Sequence, residues 1–223
     1  MTRTKLCDRE LPDYTRGEEI FNMVSHIVGG ALGVAVTALC VTFAALHHNP
    51  WGVVGGAIFG ASMILLYTMS SVYHGLRPNT GKKVMQVLDH CTIYLLIAGT
   101  YTPMLLCAVR PVSPAWAWAL FGIVLGFGVF GIVFTAIDLK STAVFSMICY
   151  MGMGWCIVLA LRATWQAIGD GGMLFLFLGG AAYTLGAVLY GIGSRLRYFH
   201  SVFHLFVLAG SVLHFFCIFL YVI

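Results

Sequence analysis

Ionisable side chains are costly inside apolar stretches, so each one found there marks a functional site by default. In this sequence several gather at one end of three such stretches. His200 and His204 stand four residues apart. On a helix that spacing sets them about 40° apart around the axis and ~6 Å along it, on one face. Two imidazoles so placed can share a metal ion, and a catalytic zinc usually takes three protein ligands plus a water. His74, closing an earlier apolar stretch, supplies a third imidazole. Asp89 lies about two turns into the next stretch, flanked by Val87, Leu88, His90 and Cys91. Its carboxylate is set either to be a fourth ligand or to accept a hydrogen bond beside the metal. Ser70 precedes His74 by four residues and shares its helix face. It is placed to orient a ligand or to hydrogen-bond a substrate oxygen; the blander reading is a packing serine. For the whole group, the blander reading is a hydrogen-bonded core cluster.

These residues need helices to bring them to one depth, and the composition supplies them. The 223 residues are 60% hydrophobic and only 9% charged, with a mean hydropathy of +0.93. Soluble domains carry roughly a quarter charged residues, and disordered chains are polar, so both classes are excluded. The apolar runs fall at 20–46, 51–75, 84–108, 115–137, 143–161, 173–193 and 199–223. Each is close to the ~20 residues that cross a bilayer as a helix. The separators carry turn chemistry: His47-His48-Asn49-Pro50, Arg77 to Gly81, Arg110 to Pro114, Asp138-Leu139-Lys140 and Gly169-Asp170-Gly171. No strand alternation excludes a barrel. The expected fold is an all-α membrane protein, a seven-transmembrane helix bundle over residues 20–223, preceded by a polar cytoplasmic tail over 1–19. That tail holds both signs of charge and does not read as a signal peptide.

Basic residues set the orientation. With seven spans, ten of the twelve Lys and Arg fall on one side: Arg3, Lys5, Arg9, Arg16, Arg77, Lys82, Lys83, Lys140, Arg195 and Arg197. Arg110 and Arg162 fall on the other. The N-terminus is therefore expected in the cytoplasm and the C-terminus outside. His74, Asp89, His200 and His204 then share a depth near the cytoplasmic face. His26, early in the first span, has the same depth, with packing as its default role. His90 points about 100° away from Asp89 and falls outside the site. His214 lies ~21 Å further along the last helix than His200, too far for the same metal, and reads as a core residue before a cavity residue. The seven cysteines contain no CxxC and read as small hydrophobes. Scattered basic residues argue against a nucleic-acid partner. Glycines such as Gly55, Gly60, Gly122 and Gly126 offer small faces for close helix packing, including a homodimer contact. Trp51, Trp116, Trp118 and Trp165 sit near span ends as interface anchors. Pro103 is expected to kink the third helix.

Three motifs carry a resemblance: Ser70-x3-His74; Leu88-Asp89 running on through Leu95 to Pro103; and His200-x3-His204 followed by Leu205 to His214. In these the chain resembles the bacterial hemolysin III proteins of the progestin and adipoQ receptor superfamily, from Glu18 onward. The resemblance implies a seven-helix membrane protein of the bacterial inner membrane. It implies zinc held by His74, His200 and His204, with Asp89 beside the zinc's water. It also links the chain to membrane homeostasis and, through the family name, to cytolysis.

Three functions compete. The first is a zinc-dependent hydrolase of a membrane lipid amide or ester, with Asp89 as general base and Ser70 steadying the carbonyl oxygen. The second is a non-enzymatic regulator or receptor in which zinc is structural. The third is a cytolytic pore, which requires a polar stripe through the full membrane. The topology yields the first expected outcome. A C-terminal reporter that works only outside the cytoplasm should be active, and cytoplasmic activity there would overturn both the orientation and the seven-span count.

Overall fold

The computed structural model describes residues 4–193 and 196–223. Arg3 and Arg195, both counted above, lie outside the described residues. Among those residues the regular structure is all helix: α1 (Arg16–Leu46), α2 (Pro50–Gly75), α3 (Thr80–Pro103), α4 (Pro114–Ile137), α5 (Ala143–Trp155), α6 (Leu161–Gly193) and α7 (Phe199–Tyr221).

The helix starts follow local chemistry. Thr15 caps α1 with its hydroxyl on the Glu18 N–H, while Glu18 reaches back to the Thr15 N–H, so two orphan donors are satisfied reciprocally. Asn49 caps α2, and Pro50 fills the first position, where its missing N–H costs nothing. Asn79 caps α3. Tyr198, in the left-handed region at φ 64°, turns the chain into α7. This last turn places His200 in the first turn of that helix.

Among the described residues six helical stretches are long and apolar enough to cross a membrane, and the chain is a multi-pass membrane protein. The fifth, Ala143–Gly191, is not one straight helix. The expected Gly169-Asp170-Gly171 loop contracts to a break at Gly169, whose φ of 61° and ψ of −173° are open essentially to glycine alone. The chain doubles back there, since the Trp155 indole donates to the Thr184 hydroxyl at 3.0 Å and stacks on Phe177. Asp170 accepts a hydrogen bond from the Trp165 indole across this break, at 2.7 Å. Residues 156–160 form a 3-10 segment between α5 and α6. The expected Arg110–Pro114 loop also contracts. After Pro103, α3 passes into a π-helical segment, Met104–Val109, and a last turn to Val112. Arg110 lies over the Trp51 ring at 4.2 Å and donates to the Leu106 carbonyl, which keeps that turn helical.

Adjacent helices pack as neighbours: α1 on α2, α2 on α3, and α6 on α7. One apolar cluster centres on Phe59, Met63, Tyr67 and Ile218, the other on Tyr94, Leu105, Leu120 and Met153. Large apolar residues such as Phe127, Val129 and Phe130 on α4 remain exposed, as lipid contact requires. The described cysteines are unpaired and mostly buried, as small hydrophobes are. The polar N-terminal segment does not trail away. Thr4 donates its N–H to Asp138 at 2.9 Å and Arg9 donates to the Ile137 carbonyl at 3.3 Å, so residues 4–15 strap the end of α4 to the start of α1. The Thr4 N–H, with those of Ser141 and Lys140, holds the Asp138 carboxyl down at about 2.

Glycines differ sharply in what surrounds them. A Cβ at Gly55 would lie 2.8 Å from the Pro103 Cα, a backbone atom that cannot swing aside, whereas one at Gly122 meets nothing within 4 Å. Gly55→Ala should therefore cost about 1–3 kcal/mol by overpacking the α2–α3 contact. Gly122→Ala should cost nothing measurable. Unfolding of the two variants in detergent checks the contrast.

Candidate metal centre

His74 stands in the last turn of α2, and His200 and His204 open α7. The packed bundle brings the three together. One nitrogen from each lies within 4.8 Å of the others, and all three residues are buried. The His200 and His204 Nε2 atoms face one another at 3.1 Å. Two bare imidazole lone pairs at that distance repel unless a proton or a cation lies between them.

The His74 ring is oriented from behind. Its Nδ1 lies 2.6 Å from the Glu19 carboxylate. A carboxylate only accepts, so Nδ1 carries the hydrogen and Nε2 keeps its lone pair. That Nε2 is buried without a partner. The other Glu19 oxygen accepts from Lys82 Nζ at 2.5 Å, and Lys82 also donates to the Leu76 carbonyl at 3.0 Å. Lys82 additionally lies 5.1 Å over the Tyr73 ring. One carboxylate thus ties α1, α2 and α3 behind the first imidazole. A carboxylate–histidine pair of this kind fixes the tautomer and raises the basicity of a metal ligand. The donor set fits zinc: three neutral imidazoles, converging, buried, one with an orphaned nitrogen.

Aromatic rings close the cluster. Tyr14 stacks on His200 at 4.8 Å and 20°, and burial pushes its phenol up, so it stays protonated. His26 stacks on His204 at 3.8 Å and 20°, with both ring nitrogens unpartnered. The Asn22 side chain, fully buried one turn earlier, also has neither polar atom satisfied.

Asp89 is not among the converging ligand atoms. Asp89 and Ser70 both line the same cavity as His200 and His204. His90 also lines that cavity, with Nδ1 on the Gln86 carbonyl and 3.9 Å from the Asp89 carboxylate, and Nε2 on the Tyr190 hydroxyl. The cavity holds about 870 Å³. Its walls run from Gln86 to Tyr101 on α3 and from His200 to His214 on α7, about 21 Å along each helix. Arg9, Glu18, Lys140 and Arg197 line one end, and Leu96, Ile97, Met151 and Val207 line the length of it. His214, expected in the core, is buried and yet lines this cavity, with Nε2 on the Leu176 carbonyl at 3.2 Å.

The haemolysin-III-related family profile matches residues 14–215. The chain belongs to the haemolysin III family. It is similar to the hemolysin-3 homolog of Bacillus subtilis strain 168, 36% identical over 208 residues that cover 93% of this chain and 96% of that one. It is also similar to the hemolysin-3 of Bacillus cereus, 35% identical with 92% of each chain covered. The human monocyte to macrophage differentiation factor is 24% identical over 209 residues, covering 90% of this chain and 80% of that protein. That distant likeness extends the relationship to the progestin and adipoQ receptor superfamily.

The sequence alone does not single out Glu19, Asn22 or Tyr14. A signal existed for two of them. Glu19, Asn22 and His26 recur at i, i+3 and i+7, one polar face on an otherwise apolar helix. His204→Ala should abolish stoichiometric zinc in the purified protein, and His214→Ala should leave it unchanged. Glu19→Gln should weaken zinc binding about 10–100-fold. Metal analysis against a competing chelator reads all three, and equal zinc loss in His204→Ala and His214→Ala would refute the three-histidine site.

Proposed function

We propose that this haemolysin III protein is a zinc-dependent hydrolase of an acyl lipid, acting on an amide or ester from the cytoplasmic side of the bacterial inner membrane. The observation that carries the reading is the cavity, which joins the histidine cluster and Asp89 at a polar end to a long apolar wall. A lipid headgroup and chain have that same division of polarity.

His74, His200 and His204 would hold the metal. When bound, zinc polarises a carbonyl and acidifies water. The chain's own groups do the rest. The Asp89 carboxylate takes the proton of a water that adds to the acyl carbonyl. It returns that proton to the leaving amine or alcohol as the carbon–nitrogen or carbon–oxygen bond breaks, leaving a carboxylate. Ser70 lines the cavity with Asp89, and on this reading it acts as a positioning residue whose hydroxyl aims the base. Glu19 keeps the His74 lone pair pointed at the cluster. The apolar walls on α3 and α7 hold the acyl chain and exclude bulk water.

The membrane arrangement belongs to the same proposal. The break at Gly169 divides Ala143–Gly191 into two lengths of about 27 and 22 residues, each sufficient to span. Seven spans result, with the basic residues and the histidine cluster at the cytoplasmic face. Trp51, Trp116, Trp118 and Trp165 are all exposed near the opposite ends, where amphipathic rings anchor.

A second reading has its own observation. The Glu19–His74–Lys82 tie binds three helices beside α7, which is what a structural zinc in a non-enzymatic regulator would exploit. Asp89→Asn separates the two. For a hydrolase, the variant retains zinc and loses about 10²–10⁴-fold in rate on acyl lipid presented in a bilayer or detergent. If wild type cleaves no acyl lipid across a broad panel, and Asp89→Asn fully rescues a deletion strain, the regulator takes its place.

A further inference from the structure

Arg9 takes no part in the chemistry described so far. It precedes the first helix by seven residues, yet only 6% of it is exposed. Of its three side-chain nitrogens, Nη2 donates to the Ile137 carbonyl at 3.3 Å, while Nε and Nη1 are buried with no hydrogen-bond partner. Among the described residues no carboxylate lies within ion-pair distance of it. Of the nearby acids that line the cavity, Asp13 makes no ion pair with Arg9, and Glu10 and Glu18 are engaged elsewhere. Glu10 meets Lys140 at 3.7 Å with both side chains largely in solvent. Glu18 accepts from Thr15 and from the Tyr198 N–H.

A guanidinium does not shed its proton. A buried one without a counter-charge is therefore a standing cost that an anion would relieve. Arg9 is also held in place. The strap is anchored before it by Thr4 on Asp138 and after it by Tyr14 stacked on His200. The side chain lines the same cavity as the histidine cluster.

We propose that Arg9 is an anion-binding subsite, receiving the carboxylate or phosphate head of an amphiphile whose apolar chain lies along α3 and α7. This deepens the hydrolase proposal by naming the class of lipid admitted, and it rests on the cavity being a lipid site. Two free donors on one rigid plane suit the oxygens of either anion. The subsite makes the cavity select anionic over neutral acyl chains.

The test uses the full zinc-loaded chain in neutral detergent and three probes of one acyl length: a fatty acid, a single-chain phosphate monoester and a neutral monoacylglycerol. Wild type should bind at least one anionic probe tenfold or more tighter than the neutral one. The tighter of the two anions tells carboxylate from phosphate. Arg9→Gln should lower anionic binding to the neutral level without changing the neutral probe, and Arg9→Lys should restore part of the preference. Lys140→Gln, an exposed cation at the same end, should keep it. Zinc content reports whether each variant is folded. Equal binding of all three probes by wild type, or an undiminished preference in zinc-replete Arg9→Gln, overturns the subsite and leaves the lipid cavity standing. Binding of no probe at all overturns both.

Discussion

The Glu19 carboxylate, shared between His74 and Lys82, is the contact on which the rest of this structure turns. In a slab that offers no water, every polar group must find its partner inside the protein. Glu19 gives the His74 Nδ1 its acceptor and the buried Lys82 its counter-charge. One imidazole tautomer follows from that, and with it a lone pair aimed at His200 and His204. Three helices are bound at the same point, so the orientation of the cluster and the packing of the bundle are one arrangement.

Polar side chains that this contact leaves unsatisfied lie close by. His26, Asn22 and the His74 Nε2 have no protein partner, and they share a few ångströms with the stacked rings of His200, His204 and Tyr14. Unpaired polar atoms are rare in native interiors and call for a reason. Here they gather at the head of a cavity bordered by Asp89 and Ser70. Unpartnered side-chain atoms also occur on Arg9, Ser201, His204 and His214, and Arg9, His204 and His214 line that same cavity. The motif histidines of this chain thus lie where the surrounding protein leaves polar atoms unpaired.

The cavity exists because α3 and α7 are not packed together along their inner faces. Close approach elsewhere compensates, as where Gly55 admits Pro103. The π-helical segment after Pro103 and the break at Gly169 lie far along the chain from the histidines. They shape the other end of the bundle: the expected Arg110–Pro114 loop is mostly helical because apolar backbone in a membrane hydrogen-bonds to itself wherever it can, while the chain doubles back at Gly169.

The class of the protein is legible in its residues alone. Composition and run length made it a helical membrane protein, and the i, i+4 pair His200–His204 with His74 and Asp89 at matched depth named the site, because helical period and span direction are local properties. The sequence alone could not reveal that Glu19 backs His74, that Tyr14 and His26 stack on the other two imidazoles, or that His214 lines the cavity. Nor could it show the polar segment over 4–15 folding back to bury Arg9. Each of those depends on which faces of separate helices meet. Residues far apart in sequence set those meetings through packing and unpaired hydrogen bonds, and only the tertiary structure decides them.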